Sequence, residues 1–522
     1  VIPVSWKSLF TAALIVVKLP KSKNLLTIIL SMLANITLQN RFYLLIAIVL
    51  IIKIIFAFLL PMTGDEAYFI FWAQYPDYGY YDHTPMVAWI LTAFLLLSDS
   101  EFWLRLPAIV FSLFIAWTIY KLVHQSDDED SHKIAIYASS LYLLIPVNLV
   151  AILMTTDTPL IFWSFLCGVS YHQAQKHDSF IWYFVCGLFL GLAFLSKFFS
   201  GLLAVAFLLH TVFFVRRGIK PYFGLFVIFI ALLPFMLLNI SWNYNNCWNN
   251  YLFNLINRNQ DNSFSFDHIG KYFLMLVFLM PPGIYYLFRN ENIFKLLFLD
   301  KGREYTYLAL FIIPIILFGF LSAFKNIGLH WLFSFIPFLV LGVSKIFTVS
   351  QLQKSLKFMM IYAILHVVII GFILIASPNL FKSNASLYKT LVIGYYPDEM
   401  LSEVSKYKTG YIFATDSYAL SAQLSYHSKN HIIVFGDGSH HARQDDLITD
   451  YRLLKGNNIL IMSEVPKLAA YTDFFESYEI HTMVIRGTEI YYALGRNFQY
   501  EKYRSSILTS IRQRYYNIPD YL

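Results

Sequence analysis

Apolar positions rarely alternate with polar ones along most of this chain. They run on in blocks near residues 42–61, 103–123, 133–153, 159–175, 179–196, 198–215, 222–240, 270–288, 305–323, 329–348 and 357–376. About twenty predominantly apolar residues cross a bilayer as a helix, so the pattern predicts a polytopic α-helical membrane protein with about eleven spans. One further piece, Met86 to Leu97, is too short to stand upright; read as a re-entrant, interfacial or broken helix, it carries the prediction towards about thirteen. Near Ser377 the period changes. Apolar runs shrink to strand length (YIFA, IIVF, NILIM, HTMVIRG, EIYYALG) between helix-like stretches at 398–406, 417–426 and 442–455, which predicts a small α/β domain over 377–522. The remaining boundaries are an N-terminal segment 1–41, cytoplasmic or interfacial, and a transmembrane domain 42–376 whose first loop is 62–102.

Composition agrees and removes one class of partner. The chain is 58% hydrophobic and 18% aromatic but only 14% charged, against about 25% charged residues in soluble globular domains. A net charge of +7 would suit nucleic acid if the basic residues formed a patch. They gather instead at the ends of the apolar runs, where membrane orientation accounts for them, and nucleic acid is excluded. With a cytoplasmic N-terminus the inner loops carry clusters such as Arg216, Arg217 and Lys220, whereas the outer loops before the tail hold only Arg105, Lys197, Arg258, Lys271 and Lys325. That asymmetry puts the Asp65 loop, the turn at Asp157, Lys197, the 242–270 loop, His330 and the tail domain on the outer side. Cys167, Cys186 and Cys247 are odd in number and lack metal-ligand spacing, so no disulfide framework is implied.

The first loop reads GDEAYFIFWAQYPDYGYYDHTPM from Gly64. A charge inside a bilayer costs about 2.5–3.5 kcal/mol on insertion scales, so carboxylates packed between two apolar segments call for a reason. The interleaved aromatics suit a helix anchored in the interface, and the carboxylates suit a site at the lipid surface; the residues alone leave both open. Asp157, in the turn TTDTP, is either a helix cap or a second acid. Lys197, in LSKFF, either snorkels or holds a lipid phosphate as a point charge. Two carboxylates and a cation at one leaflet suit group transfer from a phosphate-linked lipid. In the tail, GDGSHHARQDD (436–446) sets histidines beside acids, which reads more simply as a polar loop than as a metal site.

The ordered set GDEAYFIFWAQYPDYGYYDHTPMVAW, LRLP (104–107), TTDTPLIFW (155–163), LSKFF (195–199), SWNYNN (241–246) and HWLF (330–333) resembles the GT-C glycosyltransferases of the bacterial protein-mannosyltransferase-like superfamily. Within it the likeness is closest to the lipid A aminoarabinose transferase group, whose members carry a C-terminal periplasmic domain. The resemblance implies a GT-C fold in a bacterial inner membrane, a sugar donor on polyprenyl (undecaprenyl) phosphate, and a periplasmic acceptor, with lipid A or lipopolysaccharide first. It implies that Asp65 is the catalytic aspartate with Glu66 beside it, and that Asp157 is a second acid facing the same cavity. It further implies that Lys197, Asp82, His83, Arg258, His330 and Tyr81 bind substrate or phosphate. Asp82 and His83 take the place of a pair that would hold a divalent metal if one is used, although Thr84 stands where relatives usually have the first of two prolines. No cofactor is otherwise implied. The alternatives are a protein O-mannosyltransferase or another glycan-decorating transferase and, in a different class, a lipid flippase or transporter. Transporters often show repeats and broken helices near the midplane, and the acids here cluster on one face instead.

Overall fold

The computed structural model describes residues 37–215, 218–257, 263–289, 305–437 and 444–516. Arg258 and the two histidines at 440 and 441 lie outside the described residues. The described residues divide into two compact units after Ile48; the functional residues belong to the second.

Every one of the expected apolar runs falls on helix. Among the described residues five helices are long and apolar enough to cross a membrane alone: Leu38–Leu59, Glu101–Val123, Lys220–Asn245, Leu329–Ile346 and Val349–Ile375. The expected count of full spans therefore gives way to a mixture of full and broken ones. The run at 270–288 is split into Phe266–Leu279 and Pro281–Phe288, bent by 107°. Its cause is Pro281-Pro282: the second helix starts there because a proline at its first position forfeits no hydrogen bond, and Met280 ahead of it is driven out of helical backbone. Pro146 acts likewise, ending Glu129–Leu144 at an extended Ile145 and starting the short helix Pro146–Val150. Other runs lie on shorter apolar helices such as Phe180–Phe194, Phe198–Phe214 and Thr306–Ser322.

Helix Gly64–Gln74 opens the first loop. The Thr63 hydroxyl accepts a hydrogen bond from the backbone N–H of Glu66 at 3.3 Å, and Asp65 and Glu66 fill the first turn, where the helix dipole favours carboxylates. The helix is not an interfacial anchor: Tyr68, Phe69, Phe71 and Trp72 are buried in a core shared with Met86–Leu95, Leu104 and Ala422.

Among its described residues the tail holds a five-stranded sheet in the order β2-β1-β3-β5-β4, with β1 Ile412–Thr415, β2 Ile433–Val434, β3 Ile459–Ser463, β4 Ser477–Ile485 and β5 Thr488–Arg496. Strand β1 pairs in parallel with β2 and β3, and β5 runs antiparallel to β3 and β4. The β4–β5 turn is Arg486-Gly487, with φ of 52° and 86°, the positive pair that a tight hairpin needs. Helices Pro397–Val404 and Tyr418–Ser428 occupy two of the expected helical stretches. The third, 442–455, holds only the short turns Asp445–Ile448 and Tyr451–Leu454 among its described residues.

Candidate active site

Five of the residues singled out from the sequence line one cavity of about 530 Å³: Asp65, His83, Asp157, Lys197 and His330. Thr155, Thr156 and Thr158 complete its polar end. Pro146, Val147, Val150, Phe278, Phe333 and Ile370 make the other walls apolar.

Separate elements set each side chain. Asp65 projects from the first turn of its helix, is exposed, and has no hydrogen-bond or ion-pair partner among the described residues. Asp157 begins helix Asp157–His177. Lys197 follows the end of Phe180–Phe194 in extended backbone, with φ −169° and ψ 142°, and its Nζ donates to Asp157 Oδ1 at 2.8 Å. The ammonium also lies 5.4 Å from the centroid of the Phe199 ring. One acceptor leaves two of its three N–H groups for a ligand. An adjoining niche is lined by Asp82, His83, Thr84, Lys197 and Asn254, so His83 and Lys197 border both spaces.

Glu66 is placed elsewhere. Only 1% exposed, it takes both arms of Arg105, Nε to Oε1 at 2.9 Å and Nη2 to Oε2 at 2.6 Å. Arg105 also donates to the carbonyls of Ala57 and Leu60 at 2.8 and 2.7 Å, and sits 3.3 Å from Glu101. With both oxygens saturated and no face on the cavity, Glu66 is an internal anchor rather than the catalytic acid expected from the sequence. Tyr81 is also diverted from substrate: it is fully buried, its N–H donates to Gln444 Oε1 at 2.8 Å, and its ring meets Phe253 and Tyr516. Asp82 and His83 approach to 3.9 Å. No group of three or more His, Cys, Asp or Glu side chains suited to a metal occurs among the described residues. A two-ligand pair does not make a dedicated metal site.

Two polar residues inside apolar runs escaped the sequence reading. His366, in helix Val349–Ile375, lines the cavity with its Nδ1 2.7 Å from the Tyr362 carbonyl, which turns Nε2 away from that bond. Lys53 is fully buried and donates to the carbonyl of Asn148 and, at 3.4 Å, to that of Ala151, bracing the broken segment that forms the cavity wall. An ionisable residue within a span is itself the signal. The tail domain also reaches the site. Tyr418 packs on Tyr68 at 4.7 Å between centroids, and its phenol is pushed up to about 12 by burial and then by the carboxylates of Asp65 and Asp82.

A helical membrane domain carrying a small C-terminal sheet domain is the ArnT-like GT-C fold. ArnT from Cupriavidus metallidurans bound to undecaprenyl phosphate matches with a TM-score of 0.61 at 13% identity, covering 86% of this chain and 97% of that one. The apo state of the same protein gives 0.59 at 14% identity, with the same coverage. The resemblance to the protein-mannosyltransferase-like superfamily holds: residues 82–242 match the family described as dolichyl-phosphate-mannose-protein mannosyltransferase. The lipid A galacturonosyltransferase RgtD of Rhizobium johnstonii (strain DSM 114642 / LMG 32736 / 3841) is 31% identical over 137 residues, 26% of this chain and 28% of that protein. The chain thus matches less than a third of that relative's length.

Proposed function

We propose that this protein is a multi-pass glycosyltransferase of a bacterial inner membrane that moves a sugar from a polyprenyl phosphate to lipid A or lipopolysaccharide on the periplasmic face. The observation that carries this reading is the single cavity on which Asp65, His83, the Asp157–Lys197 pair and His330 converge beside apolar walls. The ArnT neighbour bound to undecaprenyl phosphate and the lipid A galacturonosyltransferase relative support the donor and acceptor classes.

In the proposed reaction an acceptor oxygen attacks the anomeric carbon. The bond from that carbon to the phosphate oxygen breaks, and its electron pair leaves with the polyprenyl phosphate. Asp65, without a partner, takes the proton of a hydroxyl acceptor, a contribution of about 10²–10⁴-fold. If the acceptor is an ionised phosphate no proton moves, and Asp65 orients it. Lys197 stabilises the departing phosphate through the N–H groups that Asp157 leaves free, while Asp157 fixes the ammonium in place.

The test is transfer by the purified full-length protein from polyprenyl-phosphate sugars to lipid A, followed by mass spectrometry of the product. Asp65→Asn should lower turnover by about 10²-fold or more with its melting temperature unchanged. A folded Asp65→Asn protein that turns over normally removes the assignment. Transfer to a peptide instead of lipid A moves the acceptor to protein, the reading that the protein-mannosyltransferase family match would then favour.

A further inference from the structure

We infer that Gln444, in the C-terminal domain, is a positioning residue that holds the two parts of the first loop in register with each other. This rests on the glycosyltransferase reading only for its consequence in turnover.

Gln444 is 5% exposed and adds a bridge between two segments of the first loop that also meet through Tyr80, which stacks on Trp72 at 4.5 Å and donates through Oη to the Trp72 carbonyl at 3.1 Å. The backbone N–H of Gln444 donates to Tyr68 Oη at 2.8 Å. Tyr68 stands three residues beyond Asp65, on the same side of helix Gly64–Gln74. The side-chain Oε1 of Gln444 accepts the N–H of Tyr81 at 2.8 Å, and Tyr81 directly precedes Asp82 and His83. One residue of the tail domain therefore ties the turn that presents Asp65 to the turn that presents His83, on two sides of one cavity.

The rest of that interface is built for close approach. A Cβ on Gly64 would come within 2.8 Å of Ala419 Cβ, so the start of the Asp65 helix lies against helix Tyr418–Ser428 with no room for a larger residue on either side. Gln423 Nε2 donates to the Met62 carbonyl at 2.8 Å, just ahead of the Thr63 cap. Tyr426 Oη donates to the Asp99 carbonyl at 2.7 Å, at the far end of the loop. The tail is accordingly a splint for the first loop. A buried acceptor opposite a backbone N–H is the group whose loss leaves that N–H unsatisfied, and a displacement of about 1 Å at reacting groups costs about 10²-fold in rate.

The experiment uses the full-length protein in detergent with two substitutions. Gln444→Met keeps length and packing but removes the acceptor; Gln444→Glu restores an oxygen at that point. Hydrogen–deuterium exchange, with no substrate present, reads the amides of residues 76–84. Transfer assays read kcat and KM for the polyprenyl-phosphate donor. Gln444→Met should speed exchange about three- to tenfold and lower kcat about 10- to 100-fold with KM unchanged, and Gln444→Glu should bring both back to within about threefold of wild type. If wild type transfers nothing yet the exchange responds in this way, the function reading has failed and the bridge stands. Exchange and kcat both within about twofold of wild type in Gln444→Met, or no recovery in Gln444→Glu, overturns the inference.

Discussion

Two ion pairs of this molecule each join a carboxylate to a cation and differ in what surrounds them. Glu66 and Arg105 are 1% and 0% exposed, with bidentate geometry and backbone carbonyls taking further guanidinium donors. Asp157 and Lys197 share a single 2.8 Å contact, at 14% and 9% exposure, on the wall of a large cavity. The first pair is closed, with every donor and acceptor aimed at protein. The second keeps spare donors and has space beside them. A buried charge with all its valences used holds a fold together; one with valences left over can hold a ligand.

The largest expected effect tests the closed pair. Arg105→Leu should destabilise the folded protein by about 3–5 kcal/mol, because Glu66 then sits buried and uncompensated. The double substitution Glu66→Met/Arg105→Leu should recover much of that loss, since well-packed apolar groups replace such pairs at little cost. Thermal unfolding in one detergent measures both. A double variant no more stable than Arg105→Leu would show that the carbonyl contacts of Arg105, not the pair, carry the stability.

The open pair should behave in the opposite way. Lys197→Met should lower kcat by about 10²-fold, the scale for removing one donor from a developing negative charge, while leaving the melting temperature nearly unchanged. Lys197→Met/Asp157→Asn removes the charge mismatch and should remain just as inactive. Recovery of turnover in that double variant would make the pair structural, like the first, and erase the distinction.

The sequence made this contrast half legible. Every apolar run lies on helix, and Asp65, His83, Asp157, Lys197 and His330 do meet, because costly polar groups at span ends have few reasons to persist other than a shared site. Adjacency hid the rest. Asp65 and Glu66 are neighbours in the chain, but successive helical residues point about 100° apart, so one faces the cavity and the other faces Arg105. Arg105 itself, read from the sequence as one of the few outer-loop bases, is a core residue of helix Glu101–Val123. Tyr81, expected among the substrate-binding residues, packs in a core with Phe253 and Tyr516, while its neighbours Asp82 and His83 border the niche beside the cavity. His366 and Lys53 each stand as a single polar position within an apolar run. The breaks at Pro146 and Pro281 are readable from proline alone, and they account for two of the runs that do not form one uninterrupted span.

A third pair completes the comparison and should matter least. Lys429 Nζ lies 2.6 Å from Asp99 Oδ2, at 57% and 61% exposure, where the tail domain touches the end of the first loop. Hydrogen bonding to Lys429, and then its charge, hold the Asp99 carboxyl below its ordinary value of 3.8. A carboxylate with a depressed folded pKa stabilises the protein above its unfolded pKa, and that contribution fades as pH falls through the folded value. The pair should therefore be at full strength at neutral and mildly acidic pH, and should weaken only below about pH 4. Solvent screening limits it to about 0.2–1 kcal/mol, and a Debye length near 10 Å at 0.1 M salt reduces it further. Asp99→Asn should lower the melting temperature slightly at low salt and not at all at high salt, with turnover unchanged in both. A salt-independent loss as large as that of Arg105→Leu would show that the docking of the tail depends on this contact, and would move the weight of the interface from Gln444 to the loop's far end.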